Sequence, residues 1–120
     1  MLRHLVWVRC RAPEQAFAAA DILVRDGNYA AVLLDLRGCA ERVLRRTPAS
    51  TWYRLQRAAE TGSVAVLVQT TRPLVPAVPW RLVLDTPLSL ADAGEARTCV
   101  ADRLAVRAER SHPAAEELAG

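Results

Sequence analysis

The residues of this chain best suited to chemistry are Glu14, Asp35 and Gln69. Asp35 stands near the end of AAVLLDLRG (30–38), a run that is apolar up to that acid and then turns at Arg37-Gly38. A short apolar run with Gly27 before it and Gly38 after it predicts a strand buried on both faces. Ligands of open α/β sheets bind beyond the carboxyl ends of the strands, so an acid there suits a nucleotide-metal site, working or vestigial. The plain alternative is a strand-end carboxylate that caps the turn at Gly38. Glu14 also has a plain reading, as an acid placed favourably at the positive end of a helix dipole. Gln69 ends VAVLVQ (64–69) and by itself is a polar residue closing a strand.

Other chemistry is poorly supported. His4 and His112 lie near the two ends, with no acid or nucleophile spaced to make a triad. Cys10, Cys39 and Cys99 are odd in number and far apart, with no Cys-x-x-Cys or Cys/His cluster. Neither a metal site nor a disulfide framework is expected, and Cys10 reads as a small buried residue.

Arg37, Arg42, Arg45 and Arg46 form a basic stretch after Asp35, and Arg72 sits in a proline-rich segment. Arginines gathered on one edge can hold phosphates; the plainer reading is a solvated charged surface. All 16 basic residues are Arg, and the net charge of +3 is mild for a dedicated nucleic-acid binder. Trp80, beside prolines, is a candidate for an exposed contact with a base or a partner. Trp7 and Trp52 are assigned to the core.

The elements that must position these residues follow from periodicity. Leu5 to Cys10 (LVWVRC) predicts a first strand. Pro13 suits the first turn of a helix whose buried stripe is Ala16, Phe17, Ala20, Leu23 and Val24, closed by Gly27. Residues 39–46 are left as one or two helical turns or a loop. Thr47-Pro48 predicts the start of a helix with Trp52, Leu55 and Ala59 on its inner face, ended by Gly62. Val64 to Gln69 predicts a buried strand, 70–79 an irregular loop with three prolines, and Trp80 to Asp85 another strand. Ala96, Val100, Leu104 and Ala108 are four apart, which favours a helix there, though alternation at 104–109 permits a strand. Alternating strands and helices of this kind lead to a parallel sheet. The expectation is one α/β domain over 1–112 and a flexible tail over 113–120.

The stretch PEQAFAAADILVRDGNYAAVLLDLRG (13–38) resembles the RecA-type recombinase core, and more closely the ImuA-type RecA-like proteins of bacterial damage-induced mutagenesis. RLQRAAETG (54–62) is similar to a helix of the same proteins, and the likeness runs from about Leu5 to Asp85. The resemblance implies a three-layer RecA-like core fragment with a mostly parallel sheet of four to five strands. It also assigns family roles: Glu14 would activate the water that attacks ATP, Asp35 would support Mg²⁺, and Gln69 would sense the γ-phosphate. Arg37, Arg42, Arg45 and Arg46 would fall in the first DNA-binding loop, and Arg72 in the second. The family's phosphate loop, GxxxxGK[ST], would lie upstream of residue 5, and no such motif occurs in the chain.

Without a phosphate loop there is no cradle of backbone N–H donors to anchor a triphosphate. Positioning and electrostatics supply nearly all of phosphoryl-transfer catalysis. Glu14, Asp35 and Gln69 are therefore expected to be vestigial, in a protein with no catalysis, cofactor or metal of its own. The implied function is a cytoplasmic accessory factor of the DNA-damage response that contacts a translesion polymerase complex or a RecA-type filament. DNA contact is weakly supported, no membrane partner is expected, and a homodimer is compatible with the sheet edges such a fragment leaves open. The alternatives are a SulA-type cell-division inhibitor that binds a division GTPase, and an ATPase half-site completed by a partner's phosphate loop.

Overall fold

The structure is a computed structural model that describes residues 4–76 and 78–110. These fall into two compact units that divide after Pro76.

In the first unit, helix α1 spans Pro13–Asp26. Proline opens it because the missing N–H would have had no helical partner there. Gly27 ends it in the left-handed region at φ 80°, a conformation that costs glycine nothing. Strand β1 (Ala31–Asp35) follows, then the short helix α2 (Glu41–Arg45), helix α3 (Ala49–Gly62) and strand β2 (Ala65–Gln69). β1 and β2 pair in parallel, from Ala31 beside Ala65 to Asp35 beside Gln69.

The helices α1 and α3 pack on one face of this strand pair. Ala20 and Val24 of α1, Val32 and Leu34 of β1, and Trp52, Leu55 and Ala58 of α3 form one buried cluster, completed by Leu36, Leu44 and Val64. All five positions of the expected α1 stripe lie in this cluster or against it. Phe17 meets Trp52 edge to face, with ring centroids 4.9 Å apart, an arrangement that suits the charge distribution of the rings.

The second unit pairs strand β3 (Trp80–Leu84) with strand β4 (Val106–Arg110) in an antiparallel register. Between them lie a 3-10 turn at Leu90–Gly94 and helix α4 (Arg97–Arg103). Ser89 and Asp92 form a reciprocal capping box at the start of the turn. Arg103 reaches both Asp92 (2.8 Å) and Glu95 (2.9 Å).

The structure corrects several expectations. There is no mostly parallel sheet of four to five strands: the described residues form one parallel and one antiparallel pair. β3 finds its backbone partner in β4, and the segment before it carries Pro73, Pro76 and Pro79, which have no N–H to donate to a ladder. Leu5 to Cys10 is not a strand, and Trp7 is 80% exposed rather than core. β1 is buried on one face only, because its helices all lie on that side; Leu33 on the other face is 64% exposed. α3 begins at Ala49, with Pro48 as its cap residue and no side-chain cap from Thr47. The predicted helix over 96–108 ends at Arg103, where alternation at Val106 and Ala108 lets the backbone pair with β3. The tail assigned to 113–120, and His112, lie outside the described residues.

Candidate functional site

The parallel register sets Asp35 and Gln69 side by side at the carboxyl ends of β1 and β2. The Leu36 N–H donates to the Gln69 carbonyl at 2.9 Å, which carries the ladder one residue past Asp35. Cys39 follows, its N–H donating to the Leu36 carbonyl at 3.0 Å. Burial chiefly, then the negative charges of Asp35 and Glu14, push the Cys39 thiol above its usual range. Asp35 and Gln69 thus share one end of the strand pair, and both Asp35 and Glu14 bear on the Cys39 thiol.

Asp35 is already engaged. Arg37 Nε donates to its Oδ1 and Nη2 to its Oδ2, both at 2.9 Å, and the Arg37 backbone N–H donates to Oδ1 at 3.1 Å. This two-pronged geometry is the strong form of an Arg–carboxylate contact. The backbone bond is a turn in which the Asp side chain stands in for a carbonyl. The Arg37 side chain, followed by its backbone N–H, lowers the Asp35 pKa. The capping role foreseen for this acid is therefore present, extended by an ion pair.

Glu14 projects from the first turn of α1 into an open cleft of about 630 Å³ between α1 and the α2–α3 segment. Its floor includes Phe17 and Leu55, while Asp21, Arg46 and Arg54 add charge around it. Arg54 and Asp21 approach to 4.0 Å across this cleft. Spacing in the sequence did not reveal the cleft, because its two walls come from helices far apart along the chain.

The basic residues divide. Arg37 is neutralised by Asp35. Arg45 and Arg72 share Glu41, with Arg72 Nε 3.4 Å from it and Arg45 Nε donating at 2.9 Å. These bonds draw the Glu41 carboxyl below its usual range, Arg45 being the larger cause. Arg42 and Arg46 form no ion pair among the described residues. Trp80, in the second unit, is exposed as expected, but the Arg110 guanidinium lies over its ring, 5.6 Å from the centroid. This cation–π contact already occupies one face of the indole.

Among the described residues, no group of three or more His, Cys, Asp or Glu side chains is arranged to hold a metal ion. No described helix is long and apolar enough to cross a membrane. No family model, no curated protein and no solved structure matches this chain.

Proposed function

We propose that this chain is a non-catalytic protein-binding module, an accessory factor in the bacterial DNA-damage response with the role its ImuA-type resemblance implies. One observation carries the non-catalytic part. Arg37 takes both carboxylate oxygens of Asp35, the residue that would otherwise support a nucleotide-bound cation. A guanidinium so placed competes with a divalent ion for the same lone pairs and adds a repelling positive charge. The apolar outer face of β1 and β2, with Leu33 and Leu67 exposed, supports docking as the alternative use of the fold. The proposed partner is a translesion polymerase complex or a RecA-type filament, in the cytoplasm.

Isothermal calorimetry with ATP and Mg²⁺ tests the first part, and no heat of binding is expected. Saturable binding by the chain alone refutes the vestigial assignment. Binding only with a partner that brings a phosphate loop favours a half-site completed in trans. The cellular role is tested by deleting the gene and scoring damage-induced mutation, which should fall. Filamentous cells on overexpression, with unchanged mutation frequency, transfer the assignment to a division inhibitor.

A further inference from the structure

The first unit contains two features that fit each other. One is the free edge of β1, whose paired neighbour β2 lies on the opposite side. A two-stranded parallel sheet is unusual, since parallel strands ordinarily sit inside larger sheets covered on both faces. The outer face here leaves Leu33 64% and Leu67 47% exposed. The other feature is the segment Leu5-Val6-Trp7-Val8-Arg9, rich in strand-forming residues. It pairs with no strand among the described residues, and Leu5, Val6, Trp7 and Val8 are all exposed.

We propose that a second copy of this chain fills the gap: two copies exchange their 5–9 segments, each adding a parallel strand to the free edge of the other's β1. Connection handedness selects this edge. α1 and α3 lie on the same face, so right-handed crossovers place a strand preceding α1 beside β1, on the side away from β2. An exchanged segment takes the place its own counterpart would hold. Leu5, Val6 and Val8 are half exposed and Trp7 mostly so, and the segment joins no ladder among the described residues, which leaves it free to be donated.

The alternation then fixes which face each residue takes, and the longest overlap with β1 gives the register. Setting Leu5 beside Ala31 puts Val6 and Val8 on the helix-covered face with Val32 and Leu34. Leu5, Trp7 and Arg9 fall on the bare face. Trp7 then comes beside Leu33, in the row that continues to Leu67, and Arg9 comes abreast of the acid Asp35. A shift of one residue would turn Trp7 into the face filled by helices. The exchange is closed and two-fold, so each copy both gives and receives, and no open filament results. The exchange does not rest on the accessory role proposed above, although Trp7 would cover part of the same outer face.

Sedimentation equilibrium over a range of concentrations tests the proposal, together with hydrogen exchange of the peptide covering 4–11. A dimer is expected, with protection of that peptide increasing as the dimer forms. Val6→Pro and Trp7→Pro remove successive N–H groups, one of which must face β1. The variant that loses the bonded N–H should dimerise roughly tenfold more weakly or worse. Both residues are exposed and outside every element, so the helical circular dichroism of the monomer should be unchanged. A monomer at all concentrations overturns the proposal, including one in which the 4–11 peptide is protected by its own sheet. A dimer indifferent to both substitutions overturns it too, by placing the interface elsewhere.

Discussion

Arg37 grips Asp35 with both prongs of its guanidinium and with its own backbone N–H. The two residues are separated only by Leu36, which is 1% exposed and anchors the turn in the core. The ion pair is thereby held at the end of β1 by packing beneath it, in the position where a ligand-binding acid would stand.

Acid titration should expose this arrangement. Asp35, Glu41 and Asp92 all have pKa values lowered in the folded chain, from ordinary values of 3.8, 4.5 and 3.8. The causes are hydrogen bonds from Arg37, from Arg45, and from the Ser89 backbone and side chain together with Arg103. A carboxylate with a depressed folded pKa contributes stability above its unfolded pKa and loses it as pH falls through the folded value. Thermal midpoints should therefore be flat near neutrality and drop below about pH 4. Asp35→Asn should flatten part of that drop. Each carboxylate pairs with an exposed arginine, and although Glu41 and Asp92 are half-buried, each pair should shift the neutral-pH midpoint only slightly.

Leu36→Ala removes a side chain that is almost wholly buried. The loss should be about 2–5 kcal/mol, as for other large-to-small core changes. Urea denaturation followed at the helical circular dichroism band measures it. Leu33→Ala, one strand position off the core face, should cost far less, and that contrast tests the one-sided burial of β1.

Two helix ends make opposite predictions for the same chemistry. Gly27 has φ 80° and open space around its α-carbon, so Gly27→Ala meets only backbone strain, about 1–2 kcal/mol. Ser63 ends α3 with φ 53°, a conformation glycine adopts more readily. Ser63→Gly should therefore be neutral or stabilising, by up to about 1 kcal/mol. The denaturation midpoint should fall for Gly27→Ala and hold or rise for Ser63→Gly.

Cysteine reactivity should separate by environment. Cys39 is partly buried and its thiol pKa is raised, which keeps it protonated, whereas Cys99 is exposed. Thiolate is the reactive form. At pH 8, iodoacetamide should modify Cys99 well before Cys39 by peptide mass mapping. Glu14→Gln should speed Cys39 modification modestly, because Glu14 is the smallest of the three causes.

Local pattern alone determined much of the first unit. Pro13, the four-residue recurrence from Ala16 to Val24, and Gly27 define α1; AAVLLD and VAVLVQ define β1 and β2. Each depends on interactions within a few residues. The capping of the turn by Asp35 was also legible, since an Asp side chain bonds its own neighbours. Tertiary structure decided what lies far apart in sequence: that β1 is buried on one face only, that β3 pairs with β4, and that LVWV joins no strand among the described residues. A strand's hydrogen bonds belong to whichever chain comes alongside, and no residue within the strand encodes that neighbour. The cleft holding Glu14 and Arg46, and the loss of Asp35 to Arg37, likewise came only with the fold, because charge pairing depends on where side chains end up and not on where they begin.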